Sequence, residues 1–246
     1  MRTKKYHILP LILTVAIGVA LYGKPSIPDS DSGEWVRIRR QAPQTLIKSI
    51  FTDPEGNIIV GAGESFHTLD SEKWKRHTYE DVLHNHTPFI MDPDGSLFFI
   101  DDNDLVVLDN GIVTRYSDLE IRAPVVGEFS DNGILYMGSY HLTKGGIFSF
   151  DGKTVEKIRE GRVRSLTIDE SGKLWATTVD PDTNNMILTS YEDGEWIDHS
   201  GDIQYLYPAL TNELTVQAAP DGALWVNNLG KYGILRNGEW TFYSGG

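Results

Sequence analysis

The sequence contains no cysteine, and its basic residues are far outnumbered by acidic ones. In 246 residues, 22 Lys and Arg stand against 35 Asp and Glu, which gives a formal net charge of -13. The absence of cysteine excludes disulfides, zinc–thiolate sites and cysteine nucleophiles. Because phosphate binding depends on clustered Lys and Arg, the excess of acid argues against nucleic acid as a partner.

Long apolar runs are also scarce, and the one that exists lies at the N-terminus. An uncharged apolar stretch, residues 8–22, follows Arg2, Lys4 and Lys5. It is shorter than the roughly 20 residues that a membrane-spanning helix needs. Residues 1–24 therefore predict a signal peptide, or alternatively an uncleaved membrane anchor that would hold the protein through residues 8–22. We expect an exported bacterial envelope protein that is periplasmic, on the cell surface or secreted.

Residues 25–32 form a polar linker in this interpretation, and residues 33–246 form the folded domain. After residue 25 no stretch has the 3.6-residue apolar period of an amphipathic helix. A repeat is present instead, in which an Asp- or Asn-containing turn with glycine separates two apolar runs. The repeats recur at intervals of about 40 residues, with one longer interval of about 50, which indicates an array of similar units. The turn glycines are Gly56, Gly95, Gly133, Gly172 and Gly222.

Each unit contains four short apolar runs joined by tight turns rich in Gly, Asp and Asn. This pattern predicts a four-stranded antiparallel meander, and repeated meanders of this length are typical of a β-propeller. We therefore predict an all-β propeller of five blades, with six blades or an open array as alternatives. Residues 33–38 repeat the pattern of the fourth strand and predict an extra N-terminal strand. Alternating residues such as Val60, Trp175 and Trp225 are expected to fill the gaps between blades.

The motif Gly-x-Leu-Trp after an Asp-containing turn, followed by a strand with the sequence Gly-Glu-Trp, resembles the two-component regulator propeller repeat. It is clearest in residues 166–177 and in residues 218–227 with 238–243. The resemblance implies a propeller of the kind found in extracytoplasmic sensor portions of bacterial hybrid histidine kinases and in stand-alone envelope proteins. It implies no particular ligand. A weaker similarity connects Pro220 to Trp225 with the streptogramin lyase propeller family, but no run matches the metal-assisted His/Glu centre of that family.

Propeller geometry sorts the connections between the four strands a, b, c and d of each blade. The a–b and c–d connections lie on one face, and the b–c and d–a connections lie on the other, which we call the variable face because its loops differ between units. On the opposite face, the repeated Asp and Gly residues are expected to serve turn formation. The candidate ligand-binding residues all lie on the variable face and are His84, His86, Tyr140, His141, Tyr205 and Tyr207.

Asp81, His84 and His86 are the nearest approach to a metal site. Residues two apart on an extended strand point the same way, so the two imidazoles could share one divalent ion with a carboxylate. The alternative interpretation is an ordinary polar surface loop. No cofactor is predicted apart from this candidate divalent metal ion.

These observations predict an exported, non-enzymatic binding module that recognises a protein, peptide or glycan, linked to extracytoplasmic sensing. The alternative is a metal-assisted propeller lyase or hydrolase that uses His84, His86, His141 and nearby acids. A purely structural envelope module is a third hypothesis.

Overall fold

The structure, a computed structural model, describes residues 47–62, 65–70, 73–77, 89–101, 104–117, 121, 124–180, 182–206 and 213–244. Within them lie five four-stranded sheets, each an antiparallel meander whose strands are paired in chain order. The predicted all-β, five-bladed architecture is confirmed. The predicted extra N-terminal strand at residues 33–38 lies outside the described residues.

The strands of the five blades follow one another without insertion of another sheet. Blade 1 contains β1 (Ile47–Thr52), β2 (Ile58–Ala62), β3 (Ser65–Asp70) and β4 (Lys73–His77). Blade 2 contains β5 (Ile90–Met91), β6 (Leu97–Asp101), β7 (Asp104–Asp109) and β8 (Ile112–Tyr116). Blade 3 contains β9 (Pro124–Phe129), β10 (Leu135–Ser139), β11 (Gly146–Phe150) and β12 (Val155–Glu160). Blade 4 contains β13 (Arg162–Ile168), β14 (Leu174–Val179), β15 (Met186–Glu192) and β16 (Glu195–Asp198). Blade 5 contains β17 (Thr215–Ala218), β18 (Leu224–Asn228), β19 (Lys231–Arg236) and β20 (Glu239–Ser244).

Acidic side chains hold the a–b turns of several blades. In blade 4, the Asp169 carboxylate accepts hydrogen bonds from the backbone N–H groups of Ser171 and Lys173 and from the indole of Trp175. In blade 2, Asp92 accepts the backbone N–H groups of two residues of its own turn in the same way. These acids are therefore committed to turn formation, as the sequence predicted.

A hydrophobic cluster lies between each pair of successive blades from blade 1 to blade 5. A single twisted sheet cannot hide either face by itself, so stacking on a neighbour is what removes the apolar side chains from water. The first strands β1, β5, β9, β13 and β17 accordingly lie beside one another in this order. Pairs of residues that represent the four clusters are Ile59 with Phe99, Phe98 with Met137, Ile147 with Val163, and Trp175 with Val226.

None of the described residues belongs to a helix that is long and apolar enough to span a bilayer. The predicted signal peptide or anchor, residues 1–24, lies outside the part of the chain to which this applies.

Candidate functional site

Three of the predicted site residues lie in the described part of the variable face. Tyr140 and His141 belong to the b–c loop of blade 3, and Tyr205 belongs to a 3-10 turn, Gln204–Leu206, between blades 4 and 5. The other candidates, Asp81, His84, His86 and Tyr207, lie outside the described residues. The binding and metal roles assigned to them stay predictions.

Tyr140 pairs with an arginine that follows blade 3. The guanidinium carbon of Arg162 lies 5.5 Å from the centre of the Tyr140 ring, within the range of a cation–π contact. The same guanidinium donates a hydrogen bond to Oδ1 of Asn184, which belongs to the b–c loop of blade 4. Arg162 therefore ties together loops from two blades and presents a fixed positive charge on the variable face.

Two glycines allow the chain segments around Tyr140 and Arg162 to lie close together. Gly161 alone joins β12 to β13, with φ of +108°, and a Cβ there would lie 2.9 Å from the carbonyl oxygen of Val179. At Gly145, at the end of the blade 3 loop, a Cβ would lie 2.4 Å from the carbonyl oxygen of His141. The Cβ at Gly145 would also lie 3.0 Å from the carbonyl oxygen of Gly161, so the b–c loop of blade 3 and the connection to blade 4 approach backbone to backbone.

His141 is oriented by the turn in which it lies. Its Nδ1 accepts hydrogen bonds from the backbone N–H groups of Thr143 and Lys144, at 3.3 and 3.2 Å. The proton of the neutral ring is therefore on Nε2. This geometry makes His141 a cap of its own loop and leaves Nε2 as the atom that can donate to a ligand.

Tyr205 is supported by blade 5. Its ring centre lies 5.5 Å from that of Phe242 on β20, and the Nζ of Lys231 on β19 lies 4.8 Å from it. Lys231 also donates a hydrogen bond to the carbonyl of Tyr205 at 3.3 Å. Tyr205 and Tyr140 are thus held by different residues, at two places on the variable face.

Apolar side chains project from the loop tips of this face. Leu142 of the blade 3 loop is 78% exposed, and Leu229 of the blade 5 loop is 61% exposed. Tyr205 is 49% exposed. Because these residues lie in b–c and d–a connections, they share a face with Arg162 and Lys231, and together the five residues form a set of apolar and cationic contacts.

Three described acids of the variable face, Asp101, Asp104 and Asp180, interact with neighbouring groups of the protein. In the b–c loop of blade 4, hydrogen bonds from the backbone N–H and hydroxyl of Thr183 lower the pKa of Asp180. In blade 2, Arg115 forms ion pairs with Asp101 and Asp104 at 2.5 and 3.2 Å. Hydrogen bonding to Asp101 accordingly raises the pKa of Arg115.

His199, the remaining histidine of the described variable face, is held by packing and hydrogen bonds. Its ring centre lies 4.6 Å from that of Trp175, and its nitrogens contact Ser190 Oγ at 2.9 Å and Asp202 at 3.3 Å. Across the described ranges, no group of three or more His, Asp or Glu residues is arranged to hold a metal ion. The described contacts on this face are apolar, aromatic and cationic.

Several members of this surface were not singled out by the sequence. Arg162, Asn184 and Lys231 lie next to predicted residues only in three dimensions, so no local motif marks them. Leu229 could have been found, because Leu229-Gly230 occupies a hairpin position at which this chain elsewhere places Asn-Gly or Asp-Gly.

No protein-family model and no curated protein matches this sequence. The fold is shared with solved β-propeller structures. Two structures of the extracellular domain of BT4673 from B. thetaiotaomicron, described as a one-component and as a hybrid two-component system, give TM-scores of 0.61 and 0.59. They are 11% and 12% identical over 82% and 81% of this chain. This chain spans 28% of the length of that domain.

Two further similar structures come from shorter proteins. The gluconolactonase XC5397 from Xanthomonas campestris has a TM-score of 0.52 and 10% identity, over 82% of this chain and 77% of its own. YCF48 from Cyanidioschyzon merolae has a TM-score of 0.53 and 14% identity, over 82% and 73%. Identities this low establish a common fold. The class of protein is therefore a β-propeller, and the fold implied by the two-component regulator propeller resemblance is confirmed.

Proposed function

We propose that this chain is an exported, non-enzymatic β-propeller that binds a protein, peptide or glycan through its variable face, with a role in extracytoplasmic sensing. The observation that carries the proposal is a set of exposed apolar residues, Leu142, Tyr205 and Leu229, on the same face as the cationic residues Arg162 and Lys231. Exposed apolar residues with a cationic rim are typical of interaction sites.

The way these contacts are fixed also supports a binding role. Arg162 is oriented by Tyr140 and Asn184, and Tyr205 is braced by Lys231 and Phe242. Side chains that are already ordered lose little conformational entropy when a ligand binds. The variable face is therefore preorganised for recognition.

The sensing role is supported by the shared fold with the extracellular domain of BT4673, a two-component system, and by the basic and apolar N-terminal residues that predict export. In this proposal, the propeller acts in sensing through the partner that its variable face recognises.

The test begins with binder selection on the chain from residue 25 onward, immobilised through its C-terminus. A random 12-residue peptide library on phage and a printed glycan array serve as the two probes. Binders from either source are then measured against Arg162→Ala and Tyr205→Ala. We expect each binder to lose at least about tenfold in affinity with one or both variants, which corresponds to about 1.4 kcal/mol.

Lys153→Ala is the matched control, because Lys153 lies exposed in the c–d turn of blade 3 on the opposite face. It removes a cationic side chain as Arg162→Ala does, and it should leave every affinity unchanged. Binders that lose affinity with Lys153→Ala and keep it with both variable-face variants would refute the proposal, as would the absence of binders from both libraries.

A further inference from the structure

Four hairpins in the described structure are closed by two-residue turns in which both residues have positive φ. This backbone is the signature of a type I′ turn, which strongly favours Asn or Asp at its first position and Gly at its second. Three of the turns follow this preference, with φ values of 47°, 51° and 52° at the first position. They are the c–d turns Asn110-Gly111, Asp193-Gly194 and Asn237-Gly238 on the face opposite the variable face.

The fourth turn breaks the preference. Leu229-Gly230 joins β18 to β19, and Leu229 has a φ of 45°. The left-handed region is unfavourable for an ordinary L-residue, and a bulky residue there is an outlier. Asn and Asp relieve part of this cost through local hydrogen bonds, which a leucine side chain cannot form.

Among the described residues, no buried packing of the Leu229 side chain offsets this strain. Its side chain is mostly exposed, and it belongs to none of the hydrophobic clusters formed by the described residues. Its position is nevertheless fixed, because the adjacent Asn228 is buried and donates a 2.8 Å hydrogen bond to the carbonyl of Leu206. On the other side of the turn, Lys231 is tied to Tyr205. The turn therefore holds an apolar side chain outward on a firm base.

Strain at an exposed position that does not help folding is the mark of a functional residue. We propose that Leu229 is a recognition residue that packs against an apolar side chain of a partner polypeptide. This inference rests on the proposed function and narrows its ligand class. Leu142, the other exposed leucine at a b–c loop tip, supplies a second apolar contact of the same kind on blade 3.

A polypeptide fits this chemistry better than a glycan or a membrane. An aliphatic side chain offers a sugar neither a hydrogen bond nor an aromatic face, and sugar hydroxyls that lose water without a new partner are costly to bury. A bilayer with anionic lipids would be repelled by a chain of net charge -13. Lys231, two residues from Leu229 along the chain, carries a positive charge that favours an apolar residue flanked by a carboxylate in the partner.

The decisive variant is Leu229→Asn, which restores the usual turn residue. It should raise the melting temperature by about 2–4 °C, because it relieves the left-handed strain in a domain of about 200 residues. At the same time, 12-residue peptides selected on the unmodified protein should bind it at least about tenfold more weakly. Greater stability together with weaker binding is an outcome that a purely structural leucine would not give.

Asn237→Leu is the matched control, since it makes the reverse exchange in a turn of the same type on the opposite face. It should lower the melting temperature by a similar amount and leave peptide affinity unchanged. If the peptides bind Leu229→Asn as tightly as the unmodified protein, the inference is wrong, while the proposed function stands provided that Arg162→Ala or Tyr205→Ala weakens binding. Selection of glycans alone would overturn the polypeptide assignment. The polypeptide assignment would also be wrong if Leu229→Asn weakened binding only to vesicles of phosphatidylcholine and phosphatidylglycerol.

Discussion

The hydroxyl of Ser165 in blade 4 accepts a hydrogen bond from the backbone N–H of Val216 in blade 5, at 2.8 Å. Thr177 donates its hydroxyl proton to the carbonyl of Leu214 at 3.0 Å, so Ser165 must be the donor in the 2.8 Å contact between the two hydroxyls. Two side chains of blade 4 thus pair with backbone groups of blade 5. Ser165 accepts from the N–H of Val216 on β17, and Thr177 donates to the carbonyl of Leu214 just before β17. Among the described strands, none pairs with β17 on that side, and these two side-chain hydrogen bonds stand in for backbone pairing.

Replacing Ser165 by Ala should destabilise the protein by about 1–3 kcal/mol, because the buried N–H of Val216 loses its acceptor. Urea unfolding measures the change. Thr241→Ala on the exposed outer strand β20 is the control, with an expected change within about 0.5 kcal/mol. Equal stabilities of the two variants would mean that these side-chain hydrogen bonds do not hold blades 4 and 5 together.

Glu128 should make stability depend on pH. It lies opposite Tyr136 on the face of blade 3 that packs towards blade 4, and burial raises its pKa from 4.5 to about 7. Between these values the folded protein holds a proton that the unfolded chain releases, so stability falls as the pH rises through this interval.

Glu128→Gln removes this titration and should stabilise the protein most above pH 7, by about 3 kcal/mol relative to its effect below pH 4.5. Urea unfolding of both proteins across this range gives the difference curve. A difference that is the same at every pH would show that the carboxyl group is well solvated in the folded state.

Gly161→Ala should disturb the variable face as well as the fold. Its Cβ would clash with the carbonyl of Val179, and its φ of +108° disfavours any side chain. We expect a loss of about 1–3 kcal/mol in stability and a shift of the neighbouring Arg162. Gly152→Ala is the comparison, because that glycine also has positive φ, at +89°, but a Cβ there meets nothing within 4 Å. If the two variants are equally stable, the close approach at Gly161 is not a constraint.

Divalent metal should not contribute to stability if the non-enzymatic proposal holds. Excess EDTA or added Zn²⁺ should leave the melting temperature unchanged, since a ligand that binds only the folded state raises it. A rise with Zn²⁺ that His84→Ala and His86→Ala abolish would instead favour the metal-assisted lyase or hydrolase.

The fold could be predicted from sequence because each blade carries local signals. The Asp169 and Asp92 turns form within a few residues of the chain, and alternating residues such as Trp175 pack between blades as their pattern indicates. Repetition of these signals at a nearly constant interval was enough to identify a five-bladed array.

The site could be predicted only in part, because its contacts join residues that are distant in sequence. The sequence marked Tyr140 and Tyr205 as exposed loop aromatics, but the arginine and lysine that orient them come from other strands. His141 was predicted as a ligand-binding residue, and the structure adds that its Nδ1 is used by its own loop. The strain at Leu229 is a backbone property that becomes visible only when its φ is known.

Hydrogen–deuterium exchange of the protein with and without a selected peptide shows which face of the propeller meets the ligand. We expect slower exchange in residues 140–145, 203–206 and 229–231, which form the described contacts of the variable face. Slower exchange confined to the Asp and Gly turns of the opposite face, at residues 92–95, 169–172 and 219–222, would mean that the ligand does not bind the variable face.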